Sequence, residues 1–221
     1  MERTMSIEQF TARLENCYTG VVNDVMRTMG LRDYILPSYL NELIQGKVLA
    51  GPVFTITGQP SPGADGHQTL LEWTGLLSKS KPGYIWVSQP NDTKVAHMGE
   101  LSAETLHYKG VKGVVTDGFI RDVGFIKNLG FQAWSRGFTP ADIVGYWLPT
   151  GFDVPIMIGA TAIFPGDYLL ADQDGVVIIP SKQIETVLTL SEEAIQQENK
   201  VRTAILEGTD PQEAYLQYGK F

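Results

Sequence analysis

Cysteine is almost absent from this chain of 221 residues, which contains only Cys17. One cysteine excludes an internal disulfide bond and a zinc site built from cysteines alone. Hydrophobic runs of membrane-spanning length are also lacking, and the polar start MERTMSIEQF has no apolar signal core. We therefore expect a cytoplasmic protein that neither spans nor binds a membrane.

Clusters of lysine and arginine are lacking as well. The formal net charge is −8 and the isoelectric point is about 4.9. An acidic surface repels phosphate backbones, so direct binding to nucleic acid is not expected. The sequence also has no Walker loop, no dinucleotide-binding glycine fingerprint and no G-x-S-x-G motif, which removes the enzyme classes that depend on them.

Strand and helix patterns alternate along most of the chain, which is typical of an α/β fold. The length fits one large domain, or one domain with an extension. We assign residues 1–180 to an α/β domain and 181–221 to a C-terminal helical extension that packs on a neighbouring subunit. Strands are predicted at 48–57, 84–88, 113–116, 131–135, 155–164, 168–171 and 176–179. Helices are predicted at 67–77 (with Leu70, Leu71, Thr74 and Leu77 inward), 101–109 and 123–129.

One run, residues 99–137, places charges at predicted loops, where a core would not accept them. Glu100 precedes a helix, and the adjacent Arg121 and Asp122 follow a tight turn. A helix start stabilises an ionised carboxylate, so Asp122 is either an N-cap or a ligand. Arg121 has the planar fork that binds carboxylates, although a surface salt bridge is the alternative. Glu100 is either a solvated acid or a proton-handling group.

The spacing Glu100-x20-Arg121-Asp122 resembles the Asp-x20-Arg-Asp signature of the RraA-like family. The segments GVVTDGFIRDV, SRGFTPAD and PGDYLLADQDGVVIIP are also similar to that family. The family includes metal-dependent 4-hydroxy-4-methyl-2-oxoglutarate (HMG) aldolases and regulators of ribonuclease activity. This chain departs from the signature in one respect, because Glu100 is one methylene longer than the family's aspartate.

The resemblance implies a role for each residue of the run. Asp122 would bind a divalent metal, Mg²⁺ or Mn²⁺, and Arg121 would bind the carbonyl side of a pyruvyl group. Glu100 would hold a metal-bound water and help to move a proton. The backbone around Gly99, Leu101 and Ser102 would receive the substrate carboxylate. A further acid would come from the C-terminal helix of a neighbouring subunit, with Glu198 as the candidate and Glu192 and Glu193 as alternatives.

The resemblance also implies an activity and an architecture. The activity is cleavage of 4-hydroxy-2-oxo acids such as HMG to pyruvate, with oxaloacetate decarboxylation as a side activity. The alternative is a non-catalytic, protein-binding regulator of a ribonuclease. The implied fold is an α/β/β sandwich that resembles the swivelling phosphohistidine-type domain, assembled as a homotrimer or homohexamer.

Histidines offer a competing interpretation of the same region. His97, Glu100 and His107 could suggest a zinc site, but their spacing does not match His-Glu-x-x-His and Gly99 interrupts one helical face. His67 follows a glycine-rich loop and could line a pocket, although an exposed loop histidine is the commoner case.

Overall fold

The structure is a computed structural model that describes residues 5–220. Its helices are α1 (Ile7–Leu14), α2 (Thr19–Thr28), α3 (Gly66–Lys79), α4 (Glu100–Tyr108), α5 (Val123–Leu129), α6 (Ile184–Leu206) and α7 (Pro211–Tyr218). Its strands are β1 (Asn41–Glu42), β2 (Leu49–Pro60), β3 (Ile85–Gln89), β4 (Gly113–Thr116), β5 (Phe119–Ile120), β6 (Gln132–Ser135), β7 (Gly137–Phe138), β8 (Trp147–Phe152), β9 (Ile156–Ile158), β10 (Thr161–Ile163), β11 (Tyr168–Asp172) and β12 (Gly175–Ile179). A 3₁₀ turn, Ser181–Gln183, leads into α6.

The main sheet has a parallel centre, in the order β6-β4-β3-β2. The long β2 then changes partners, because its first residues pair antiparallel with β11 and its last residues pair antiparallel with β8. Parallel strands need crossovers, which α3, α4 and α5 provide. The mixed α/β class expected from the sequence is therefore confirmed.

Side-chain alternation along the strands creates the layers. On β2, Phe54 faces the core beneath α3, α4 and α5, whereas Val53 faces the opposite core. On β11, Leu169 faces that same second core, whereas Tyr168 faces a third core shared with α1, α2 and α6. The layers therefore follow in this order: helices α3, α4 and α5, the parallel strands, the antiparallel strands, and helices α1, α2 and α6. The likeness to the swivelling domain stays a prediction.

The C-terminal helices pack at least partly on their own chain. Val187 and Leu188 of α6 lie in the core formed with α1 and α2, and the Arg13 guanidinium binds the Glu192 carboxylate at 2.8 and 2.9 Å. Asp210 accepts hydrogen bonds from the first backbone amides of α7, as the N-cap of a helix does. Packing on a neighbouring subunit stays a prediction. No helix in the described part of the chain has the length and apolarity needed to cross a membrane.

Two details of the sequence-based assignment are wrong. Helix α3 buries Thr69, Trp73, Leu76 and Leu77, whereas Leu70 and Leu71 are 48% and 57% exposed and Thr74 is exposed. The stretch predicted as one strand at 155–164 is the hairpin β9-β10, because the backbone turns at Gly159 with φ of 61°. The sequence pattern also does not predict the strands β1, β5, β7 and β8.

Gly58 allows a close approach between β2 and a buried tryptophan. The register of β2 against β8 shifts next to Gly58, and a Cβ there would lie 1.9 Å from Cζ2 of Trp147. Because Trp147 is only 2% exposed, it has little room to move. We expect Gly58→Ala to destabilise the protein by about 1–3 kcal/mol, which thermal unfolding would measure.

Gly75 provides the matched control, because it lies inside α3 and a Cβ added there would have nothing within 4 Å. Gly75→Ala should raise stability by about 0.5–1 kcal/mol through helix propensity alone. Equal effects of the two substitutions would contradict the close packing of Trp147 on Gly58.

Candidate functional site

One cavity, with a volume of about 410 Å³, contains almost all the residues selected from the sequence. It lies between α3, the start of α4 and the segments around Arg121 and Asp142. Its lining includes Gly99, Glu100, Leu101, Ser102, Arg121 and Asp122. Residues from two separate loops thus meet in one place. Asp142 also lines this cavity and was not selected from the sequence.

Asp122 is the N-cap residue of α5, but its side chain does not cap the helix. Its backbone is left-handed, with φ of 57° and ψ of 36°, and its side chain makes no capping hydrogen bond to α5. Instead, Oδ2 accepts a hydrogen bond of 3.0 Å from the backbone amide of Glu100, at the start of α4. A non-glycine residue in this conformation carries strain, which often marks a functional position. Asp122 thus occupies the N-cap position of α5, as the alternative predicted, but its carboxylate binds the start of α4 instead.

Gly99 permits this contact. A Cβ at position 99 would lie 2.7 Å from Oδ2 of Asp122 and 3.1 Å from Nε of Arg121. The Arg121 backbone amide also donates to the Met98 carbonyl at 2.9 Å. The two loops are consequently joined by backbone and side-chain contacts, and this fixes the Asp122 carboxylate relative to α4.

Arg121 lies between two carboxylates. Nη1 donates to Oδ2 of Asp142 at 3.2 Å, and Nε is 3.5 Å from Oδ2 of Asp122. Among the described residues, none accepts a hydrogen bond from Nη2. The guanidinium is thus oriented by Asp142 and keeps one donor group for another acceptor.

The start of α4 presents backbone amides to the same cavity. The Glu100 amide is occupied by Asp122, and those of Leu101 and Ser102 belong to the first turn, which has no intrahelical acceptors. The Ser102 hydroxyl accepts a hydrogen bond of 2.9 Å from Trp73 of α3, so α3 and α4 are linked across the cavity. A helix start of this kind is suited to an anionic group.

His97 also lines the cavity, within a buried polar network. Its Nε2 lies 3.1 Å from Oδ2 of Asp92, whose Oδ1 accepts from the Tyr146 hydroxyl at 3.2 Å. Burial lowers the pKa of His97, although Asp92 opposes this shift. The Asp92 pKa is also lowered: burial would raise it, but hydrogen bonds from Val95, Lys94 and His97 outweigh burial. No signal in the sequence points to this network beyond His97 itself.

The zinc interpretation of the histidines is wrong. His107 lies against Phe131, with ring centroids 6.1 Å apart, and lines a different cavity from His97. Within residues 5–220 there is no group of three or more His, Cys, Asp or Glu side chains placed to hold a metal. A metal at Asp122 would therefore need water or substrate oxygens for most of its ligands.

Glu198 lies apart from the other selected residues in this chain. It lines a second cavity between α2 and α6, where it accepts a hydrogen bond from Tyr18 and lies 3.2 Å from Nζ of Lys220. Burial, followed by the contact with Glu198, raises the pKa of Tyr18 to about 12. Of the alternatives, Glu192 is paired with Arg13. A role of Glu198 in a neighbouring subunit's cavity stays a prediction.

Comparison with known proteins identifies the family. A family profile named RraA-like and described as Aldolase/RraA matches residues 19–178. The chain belongs to the RraA-like family. The matched range covers more than half of the chain and includes every residue around the first cavity.

Individual RraA-like relatives carry different names. A protein of Halalkalibacterium halodurans, provisionally named a 4-hydroxy-4-methyl-2-oxoglutarate aldolase, is 29% identical over 82% of this chain and 83% of its own length. The crystal structure of RraAS2 of Streptomyces coelicolor is titled an unusual member of the RNase ES inhibitor RraA protein family. It matches with a TM-score of 0.79 and 26% identity, and the match covers 91% of this chain and 98% of RraAS2. A crystal structure titled as novel cellulases from gut-associated microbes has a TM-score of 0.85 and 30% identity, covering 90% of each chain.

The matches to two further curated relatives cover only part of each relative's length. It is 24% identical over 93% of its length to protein DlpA of Legionella pneumophila, but this match covers only 33% of DlpA. For MJ0644 of Methanocaldococcus jannaschii the match covers 56% of the relative's length.

The buried histidine predicts a pH dependence of stability. Because the pKa of His97 is lowered in the folded protein from 6.5, unfolding releases a histidine that takes up a proton below about pH 6.5. Stability should therefore fall as the pH is lowered from 7 to 5. His97→Gln keeps a donor for Asp92 but cannot titrate, so its unfolding temperature should fall less over this range.

The exposed His67 provides the control. His67→Gln should retain the pH dependence of the unmodified protein. If His97→Gln retains it in full as well, other groups cause the dependence and His97 is not responsible.

Proposed function

We propose that this protein is a divalent-metal-dependent lyase that cleaves 4-hydroxy-2-oxo acids, such as HMG, to pyruvate and a carbonyl product. The observation that carries the proposal is the orientation of Asp122. Its strained backbone directs the carboxylate away from α5 to the start of α4, beside Arg121 and Glu100. The family match and the name of the H. halodurans relative support this reaction class.

The side chains in the cavity fit a hard cation. The Asp122 and Glu100 carboxylates are oxygen donors, and only Oδ2 of Asp122 takes part in the contacts with Glu100 and Arg121. Mg²⁺ and Mn²⁺ prefer oxygen ligands, and Mg²⁺ usually keeps several waters, so one or two carboxylates suffice. Asp122 would hold the metal directly, and Glu100 would hold one of its waters. When bound, the metal supplies an electron sink at the C2 carbonyl of the substrate.

The remaining groups bind the pyruvyl end. Nη2 of Arg121 is available for the C2 carbonyl oxygen, where negative charge develops. The amides of Leu101 and Ser102 would bind the C1 carboxylate, because they lie at the positive end of α4. Asp142 binds the guanidinium through Nη1 and would act as a positioning residue.

The reaction then requires two proton transfers. The 4-hydroxyl loses its proton as the C3–C4 bond breaks, which leaves the carbonyl product. The electron pair of that bond passes towards the C2 carbonyl, and C3 afterwards gains a proton to give pyruvate. Glu100, which lines the same cavity, would move these protons directly or through a water. Oxaloacetate would lose CO₂ by the same electron flow, so decarboxylation is the proposed side activity.

The assembly belongs to the same proposal. We infer a homotrimer or homohexamer in which Glu198 of one subunit approaches the cavity of the next. Apolar side chains on the C-terminal helices support this, since Leu206 and Leu216 are 80% and 75% exposed. The C-terminal helices would then contact both their own chain and a neighbour.

A regulator of ribonuclease is the second candidate, because the RraAS2 title names an RNase inhibitor family. Such a regulator would need a protein-binding surface but not the Gly99, Arg121 and Asp122 contacts. Tight binding to a ribonuclease without turnover of any 2-oxo acid would favour it. Hydrolysis of cello-oligosaccharides, independent of metal, would favour the activity named for the gut-microbe structure.

Asp122→Asn is the direct test of the lyase. Asparagine tolerates the left-handed conformation but lacks the charge that a metal requires. We expect metal-dependent release of pyruvate from HMG and oxaloacetate to fall by about 10²–10³-fold or more, equivalent to several kcal/mol of transition-state stabilisation. EDTA should abolish the activity of the unmodified protein.

Asp33 is a matched control, because it is exposed, left-handed with φ of 52° and outside the cavity. Asp33→Asn should leave pyruvate release unchanged. Unaltered turnover in Asp122→Asn, with an intact fold by circular dichroism, would exclude Asp122 as the metal ligand.

A further inference from the structure

Apolar side chains from α3 and from the segment after Asp142 line the cavity that contains Arg121 and Asp122. We call Leu70, Leu77, Ile143 and Val144 the apolar wall. Leu77 and Ile143 are buried, whereas Leu70 and Val144 are 48% and 41% exposed. Exposed aliphatic side chains inside a cavity with a few convergent polar groups are typical of a small-molecule site.

The apolar wall is connected directly to the polar end of the cavity. Asp142 binds Arg121 through Oδ2, while its Oδ1 accepts a hydrogen bond of 3.1 Å from the Val144 amide. The next amide, of Gly145, donates to Thr69 of α3 at 3.2 Å. The chain therefore leads from the partner of Arg121 to α3 within three residues, so the wall adjoins the site for the pyruvyl group.

The charges of the cavity do not favour a second anionic group on the substrate. Among the described lining residues, Arg121 is the only lysine or arginine, while Glu100, Asp122 and Asp142 are acids. His97 has a lowered pKa because of burial, so it adds no positive charge at neutral pH. Arg121 and a metal would both be engaged by the pyruvyl end, which leaves no lysine or arginine among this chain's described lining residues for a carboxylate at C4.

We propose that the substrate is a 4-hydroxy-2-oxo acid whose C4 carries an uncharged, apolar group. This inference rests on the proposed lyase and names its substrate class. The apolar wall binds the C4 substituent, and cleavage releases an aliphatic aldehyde or ketone with pyruvate. HMG, which has a second carboxylate beyond C4, is cleaved as well but less efficiently, because its charge meets acids and leucines rather than a cation.

Steady-state kinetics with two substrates tests the preference. We expect kcat/KM for 4-hydroxy-2-oxohexanoate to exceed that for HMG by at least about tenfold, with either Mg²⁺ or Mn²⁺. Equal values, or a preference for HMG, would overturn the inference while leaving the lyase itself established. Absence of pyruvate from both substrates would instead count against the lyase.

Leu70→Arg should change the preference within one protein. An arginine on the apolar wall gives the second carboxylate of HMG a partner, so the ratio of kcat/KM values should shift towards HMG by at least about tenfold. Leu71→Arg is the matched control, because Leu71 is the next residue of α3, is 57% exposed and lies outside the cavity lining. Its ratio should equal that of the unmodified protein.

Ligand binding tests the apolar wall without turnover. Isothermal titration with Mg²⁺ present should show tighter binding of 2-oxopentanoate than of 2-oxoglutarate, which has the same chain length but a second carboxylate. Leu70→Arg should reverse this order. Tighter binding of 2-oxoglutarate to the unmodified protein would overturn the inference, whether or not the protein is a lyase.

A second copy of the chain is the competing occupant of the apolar wall. Light scattering of Leu70→Arg separates the two cases. A lower oligomeric state, together with an unchanged substrate ratio, would show that Leu70 packs against another subunit and would overturn the inference. An unchanged oligomeric state with a shifted ratio is the expected result.

Discussion

The hydrogen bond between the Asp122 carboxylate and the Glu100 amide is the constraint on which the candidate site depends. It requires a position without a side chain at Gly99 and a left-handed backbone at Asp122. Neither requirement provides a side-chain cap for α5, because the Asp122 carboxylate makes no hydrogen bond to its first turn. The conformation is costly for a non-glycine residue, so the contact between the loops, and the carboxylate orientation that it produces, must compensate.

The same contact concentrates negative charge. Glu100, Asp122 and Asp142 line one cavity with a single arginine, and carboxylates close together repel each other unless cations lie between them. Arg121 contacts two of these acids, and the amide end of α4 adds partial positive charge. Under the proposed function, a divalent cation at Asp122 would offset part of this remaining negative charge.

Local signals predicted much of the fold and part of the site. The strand at β4 and the helix α5, with Gly130 after it, follow the sequence-based bounds because apolar runs and a turn glycine delimit them. The central residues of the site lie in two short segments, so their spacing could be read from one sequence. Asp142 and Asp92 could not be found in this way, because only tertiary folding brings them to Arg121 and Tyr146. Strand β8 contains Pro149 and Gly151, which conceal its pairing with β2.

The error in α3 has a physical explanation that bears on function. Leu70, Thr74 and Leu77 follow helical spacing, but so do Thr69, Trp73 and Leu76, and only one of these overlapping faces can be centred on the sheet. The tryptophan decides between them, because Trp73 buries more surface than a leucine and also donates to Ser102 of α4. Because the face of α3 that contains Trp73 packs on the sheet, Leu70 and Thr74 lie at the cavity. A helix with more apolar surface than its core needs can thus line a ligand site without any additional element. Helical periodicity alone cannot distinguish the apolar residues that pack in the core from those that line the cavity.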